Sequence, residues 1–241
     1  DYVLMSADDD SLDFDQINKI FDFLQKKQFD FVSTVYKTKN KIYRGNTKDL
    51  SISFYKIRSS SNHAPGLIYK SQSVNSLIHK LSSRIEKGCY ISQIYPQVII
   101  SYLLKINGGI LLWNSLSPIN EGENLNSNLT FENGKTYSHP INRIIEFKAL
   151  DIFFMEEINN DIFDKGIYIM LRLRHKISLF KYMLLPLFRK QSNQTQLRTK
   201  ENLVFLFSNA KLFFKNYLEV FILFFELFHH KLRLLIKTRK Q

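Results

Sequence analysis

Strand-patterned and helix-patterned segments alternate along this chain only as far as about residue 137, and from Pro140 onward every periodic segment is helical. That switch excludes one uniform α/β fold over all 241 residues and requires a mixed α/β part followed by a helical one. The expected domains are therefore 1–137 and 138–241. Charge divides in nearly the same place. Residues 1–164 hold 18 basic and 19 acidic side chains, whereas residues 165–241 hold 16 basic and 3 acidic ones. The net charge of +12 belongs to the helical part. With 44% hydrophobic and 14% aromatic residues the chain can bury a real core and is not of a disordered class.

Local signals give the order of elements. A strand, Asp1 to Met5, runs into Ser6-Ala7-Asp8-Asp9-Asp10-Ser11. Ile17, Ile20, Phe21 and Leu24 then recur at helical spacing, with Asp13 and Gln16 placed as an N-cap pair. Phe29–Tyr36 and Leu50–Ile57 read as strands, the second by alternation of Leu50, Ile52 and Phe54 with polar neighbours. A polar loop from Arg58 to Pro65 leads to a short strand at Gly66–Tyr69, and Ser73–Ile85 is expected to be one helix. Pro96 stands at a helix N1 position, Gly108-Gly109 at its stop, and Ile110–Trp113 is a strand. Residues 118–137 are Asn-rich and read as a loop, and a long last helix is expected from about Thr199.

The chain opens without an initiator Met and without a basic n-region ahead of a long apolar run, so it is expected to begin inside a longer parent, not with a signal peptide. The most apolar late stretch, Tyr217 to Phe228, is 12 residues long and contains Glu219 and Glu226, too short and too charged to span a bilayer. The single cysteine, Cys89, excludes a disulfide within these residues and any cysteine-based zinc site. His229 and His230 are adjacent and point about 100° apart on a helix, poor geometry for sharing a metal.

Three consecutive aspartates at the end of an apolar strand form the sharpest chemical signal. Loops after strand C-termini are where open α/β sheets bind ligands. Carboxylates two residues apart can turn oxygens toward one hard cation, which bridges diphosphate oxygens and neutralises a leaving group. The same triplet also reads as a turn cap with solvated carboxylates.

Tyr2-Val-Leu-Met-Ser-Ala-Asp-Asp-Asp10, followed by Ile17 to Leu24, resembles the DxD segment of family 2 glycosyltransferases with the GT-A fold. His63-Ala-Pro-Gly-Leu-Ile-Tyr69, Tyr95-Pro-Gln-Val-Ile-Ile100 and Gly122-Glu-Asn-Leu-Asn-Ser127 resemble segments of members from bacterial surface-polysaccharide pathways, in the same order, over roughly residues 1–135. The resemblance implies the C-terminal portion of a GT-A fold, followed here by the helical extension. It also implies inverting transfer of a sugar from a nucleotide-diphosphate donor to a glycan or lipid-linked acceptor. Asp8 and Asp10 match the DxD positions and would contact ribose and a divalent cation, Mn²⁺ or Mg²⁺; Asp9 would lie near the donor sugar. His63, Gly66, Tyr95 and Gln97 fall in the other matching segments and would line the substrate side.

Two departures accompany the resemblance. The strand–helix–strand units that hold base and ribose in this family would precede Asp1. The helix start where the family carries its catalytic base reads Ser92-Gln-Ile-Tyr-Pro-Gln97, without a carboxylate, and an amide cannot act as a base. Glu123 is the preferred replacement, with Glu121 and His63 as alternatives. A haloacid-dehalogenase-type phosphatase also opens with a strand and DxD, but Ser11-Leu12 replaces its small flexible pair and no late acidic pair follows.

Eight phenylalanines between Phe205 and Phe228 are interleaved with and followed by Lys and Arg, and Phe214, Leu218, Phe221, Phe225, Phe228 and Leu232 share one side at helical spacing. Such a C-terminal helix suits an anionic membrane surface, which would place the chain in the cytoplasm, peripherally on the inner face. The same face also suits packing on the catalytic domain or in a homodimer. Nucleic acid is not an expected partner, because no binding motif accompanies the charge. The reading from a different class is a non-catalytic membrane- or partner-binding module whose aspartates only make a turn.

Overall fold

In a computed structural model, the structure describes residues 1–7, 10–37, 42–44, 49–120, 139–159 and 164–184, together with Val204, Ser208 and Phe225. The chain forms two compact units, Asp1–Ser127 with Asn159–Phe163, and Asn128–Ile158 with Asp164–Gln241. The expected boundary at residue 137 falls in 121–138, outside the described residues. The first unit is mixed α/β, and the described elements of the second are helices.

The strands of the first unit are β1 (Tyr2–Leu4), β2 (Ser11–Leu12), β3 (Phe31–Ser33), β4 (Tyr36–Lys37), β5 (Ile42–Tyr43), β6 (Leu50–Ser51), β7 (Leu67–Lys70), β8 (Leu111–Trp113) and β9 (Ile119–Asn120). Its helices are α1 (Phe14–Lys26), α2 (Ile57–Ser61), α3 (Ser71–Asn75), α4 (Ile78–Glu86), α5 (Tyr90–Ile94) and α6 (Pro96–Ile106). One sheet has the order β1-β7-β3-β8-β6 and a second the order β2-β9-β4-β5. In the first sheet β7 pairs antiparallel with both β1 and β3, while β3 and β8 are parallel. Strands β1, β3 and β8 therefore run the same way and end on one edge, where β7 begins. Each then continues into the second sheet, as β2, β4 and β9 respectively. The crossings at 34–35 and 114–118 lie side by side, joined by the hydrogen bond from Val35 N–H to the Leu116 carbonyl.

Both faces of the first sheet are covered. Val32, Ile68 and Leu112 point to one face and pack with Ile20 and Leu24 of α1. By strand alternation Phe31, Tyr69 and Leu111 point to the other, where the Phe31 and Tyr69 rings lie 4.9 Å apart and the Tyr69 hydroxyl reaches α6. Phe31, Leu67 and Ile99 are completely buried, each worth about 2–3 kcal/mol of transfer free energy.

Helices with local start and stop signals lie where expected. Asp13 accepts from Gln16 N–H at 3.0 Å and caps α1. Pro96 opens α6, and Gly108, at φ 80°, ends it.

Four expectations are corrected. The loop expected over 118–137 opens with β9, paired to β2 and β4. The strand at Phe29–Tyr36 is divided into β3 and β4, because Thr34 and Val35 turn their amides to the Gly66 and Leu116 carbonyls at the crossing between sheets. The strand expected over Leu50–Ile57 is only β6; Phe54–Lys56 form a 3₁₀ turn and α2 follows, occupying part of the expected polar loop. Ile52 and Ile57 are both completely buried, and the Ser60 and Ser61 hydroxyls donate back to the Ile57 carbonyl, which favours a helical turn there. The helix expected over Ser73–Ile85 is two, α3 and α4, because Leu77 tightens the chain by donating to Val74 and buries its own side chain.

The second unit is described through α7 (Pro140–Asn159) and α8 (Lys165–Leu184). They run antiparallel. Arg143 stacks over the Tyr182 ring, Phe154 lies against His175, and Asp151 accepts from the Tyr168 hydroxyl at 3.0 Å and pairs with Arg172. Among the described residues no helix is long and apolar enough to cross a membrane. The helix expected from Thr199 lies outside the described residues, apart from Val204, Ser208 and Phe225.

Candidate functional site

The edge at which β1, β3 and β8 end brings together two of the segments the sequence marked; residues 122–127 lie outside the described residues. The acidic turn leaves β1 there, and the His63–Gly66 turn enters β7 beside it. Met5 N–H donates to Leu67 and Gly66 N–H donates to Met5, both at 2.8 Å, so the two turns are stitched together backbone to backbone. Thr34, at the end of β3, sends its hydroxyl to the Gly66 carbonyl at 2.6 Å. Gly66 adopts φ 78°, and a Cβ at this position would stand 2.6 Å from Thr34 Oγ1 and 3.0 Å from Arg44 Nη2. Here glycine is required both by the backbone and by the close approach.

Arg44 holds this junction and was not singled out in the sequence. It is only 7% exposed and has φ 55°. Its Nε donates to the Thr34 carbonyl at 2.9 Å, and its two terminal nitrogens donate to the carbonyls of His63 and Pro65. The Arg44 carbonyl in turn accepts from the Trp113 indole at 2.8 Å, tying the clamp to the end of β8. The guanidinium also lies 5.8 Å from the Tyr36 ring centroid. Burial pushes its pKa down to about 10, with the Tyr69 and Tyr36 hydroxyls acting in the opposite sense, so it stays charged at neutral pH. Nothing periodic surrounds Arg44 in the sequence; its partners are 10, 19 and 21 residues away.

Asp10 stands on this edge partly exposed, its Oδ2 accepting from Ala7 N–H at 2.8 Å. Its carboxylate thus closes the turn from Ala7 to Asp10. Asp8 and Asp9 lie outside the described residues, as do Glu121 and Glu123. Among the described residues no group of three His, Cys, Asp or Glu side chains could hold a metal.

His63 is half-buried at the turn, its ring 6.4 Å from that of Tyr36. Tyr95 and Gln97 flank the start of α6, which runs back against β8 and so begins toward the same edge. Both are buried, Gln97 to 7% exposure, and the Gln97 carbonyl accepts from the Tyr69 hydroxyl at 3.1 Å and from Ser101 at 2.8 Å. Burial drives the Tyr69 pKa well above the ordinary tyrosine value, against the pull of the Ser101 hydrogen bond and the Arg44 charge. Tyr69 therefore acts as a neutral donor. Trp113 is half-buried and committed to Arg44, in keeping with a packing role.

The neighbourhood of this edge is unusually polar for an interior. Ser33, Thr34, Ser92, Gln97, Asn114 and Ser117 are all buried. Ser33 donates to Ser60 and Asn114 caps the turn at Leu116, but the Ser92 and Ser117 hydroxyls have no hydrogen-bond partner among the described residues. No protein-family model, curated protein or solved structure matches the chain.

Proposed function

We propose that the first unit is the acceptor side and metal segment of a GT-A, family 2-like glycosyltransferase, moving a sugar from a nucleotide-diphosphate donor to a glycan or lipid-linked hydroxyl with inversion. The observation that supports this most strongly is the meeting of separated segments. The Met5–Asp10 turn and the His63–Tyr69 segment are joined through the Gly66–Met5 hydrogen bond, and His63–Tyr69 touches Tyr95–Ile100 through the Tyr69–Gln97 hydrogen bond. Three of the four segments carrying the resemblance thus adjoin one another, with two of them at the sheet edge where open α/β sheets take ligands.

In this reading Asp8 and Asp10 hold Mn²⁺ or Mg²⁺, which supplies charge neutralisation on the diphosphate leaving group. Asp9 and His63 contact donor or acceptor, the buried Gly66, Tyr95 and Gln97 shape the wall behind them, and Glu123 takes the acceptor proton. The helical extension brings the enzyme to the inner face of the cytoplasmic membrane through residues 199–241.

One observation favours the reading as a non-catalytic module: Asp10 already serves as a turn cap. Hydrolysis of a panel of nucleotide-diphosphate sugars by the protein, with and without Mn²⁺, separates the two. Asp10→Asn keeps an acceptor for Ala7 N–H while removing the charge, so it tests the metal role without opening the turn. The transferase reading expects metal-dependent turnover that falls at least about a hundredfold in the variant. Equal turnover in both proteins removes Asp10 from the chemistry.

A further inference from the structure

The strongest surface feature outside the sheet edge is the outward side of α8. Tyr168, Leu171, Leu179, Phe180 and Met183 are buried and supply the packed side of this helix. Away from them Ile169 and Met170 stand 54% and 53% exposed, and Leu173 and Ile177 continue the same side, half-buried, at i+4 and i+8 from Ile169. The helical core does not need this stripe, because the other side already fills it.

Charge identifies its partner. The 20 residues of α8 contain five basic side chains and no acidic one. Arg172 is paired with Asp151 and Lys176 is buried, whereas Lys165 and Arg174 are exposed next to the apolar stripe. A two-fold contact between copies of this face would set one basic rim against another. Nucleic acid would meet aliphatic side chains where bases need aromatic platforms. An anionic lipid surface satisfies both features at once, taking Ile169, Met170, Leu173 and Ile177 among the acyl chains and Lys165 and Arg174 among the headgroups.

We infer that the outward face of α8 is a docking surface for an anionic membrane, distinct from the C-terminal segment 199–241 and independent of the transferase reading. The full chain is mixed with sedimentable vesicles of phosphatidylglycerol and phosphatidylcholine, or of phosphatidylcholine alone. The wild type pellets with the anionic vesicles only. Ile169→Asp/Met170→Asp lowers partitioning by at least about tenfold, and Arg174→Glu lowers it measurably. Lys19→Glu, the same charge change on an exposed part of α1, leaves it unchanged. Thermal unfolding of each variant within a few degrees of wild type shows that the loss is one of docking. Nucleotide-sugar turnover is followed on the same proteins; it stays at the wild-type level in the α8 variants, so failure of the docking face is distinguished from failure of the transferase reading. Wild-type partitioning by the Ile169→Asp/Met170→Asp protein, or equal binding to the two vesicle types, overturns the inference. So does a dimer in solution that this variant dissolves, since it would assign the face to a second copy.

Discussion

Arg44 Nε lies 2.9 Å from the Thr34 carbonyl oxygen and donates to it from a guanidinium that is almost wholly enclosed. With the carbonyls of His63 and Pro65 on its other nitrogens, one side chain fixes the end of β3 against the turn into β7. Removing it leaves three acceptors without their donor. Arg44→Ala is expected to cost about 2–4 kcal/mol, the unpaired carbonyls outweighing relief from burying a charge. Arg44→Lys should recover only part, because an ammonium cannot serve three acceptors in a planar fork. Urea unfolding monitored by Trp113 fluorescence measures both, and an unchanged midpoint for Arg44→Ala contradicts the clamp.

Gly66→Ala brings a Cβ within 2.6 Å of Thr34 Oγ1 at a backbone φ of 78°. The expected loss is about 2 kcal/mol or more, composed of backbone strain near 1 kcal/mol and the collision. Thr34→Ala removes the colliding atom, so the double substitution should cost less than the sum of the singles. Additivity within about 0.5 kcal/mol would show that the collision contributes nothing.

How legible each part was follows from how local its cause is. Asp13, Pro96 and Gly108 act on the nearest turn of chain, and α1 and α6 begin and end by their signals. Alternation at Leu50, Ile52 and Phe54 suggested a longer strand, but the burial of Ile52 and Ile57 is met by a turn and a helix. Burial patterns of five residues fit either state. In the site, the Asp10 and Gly66 segments were singled out by residue order, an acidic triplet after a strand and a Pro-Gly pair before one. Arg44 was not, because its role depends on carbonyls brought near by the sheet order. Sequence spacing also left open how far Gln97 and Tyr95 are exposed, and both are buried.

Tyr168 provides a check on the second unit by itself. Burial, then its hydrogen bond to Asp151 and that residue's charge, push its pKa up to about 12 from 10, with Arg172 pulling partly back. The folded state thus favours the neutral phenol. Its contribution is complete below the unfolded value of 10 and is lost as pH rises from 10 through about 12. The unfolding free energy of wild type minus that of Tyr168→Phe should therefore shrink over this interval and stay level at neutral pH. A difference that grows with pH contradicts the assignment.

Asp13→Ala removes the acceptor for Gln16 N–H at the start of α1. A loss of about 1 kcal/mol is expected, with Asp13→Asn close to wild type. Thermal melts of the three proteins decide this, and equal stability of the alanine variant would show that the cap is idle.

The central claim is that the turn after β1 presents carboxylates to a divalent cation. Electron paramagnetic resonance of Mn²⁺ reads this directly, since the free ion's signal falls as it binds. Titrated with the protein in the presence of a nucleoside diphosphate, the signal should decline to saturation. Asp10→Asn, which keeps the Ala7 hydrogen bond, should weaken binding by at least about tenfold. A signal left unchanged by the wild type, or diminished equally by the two proteins, would contradict the account.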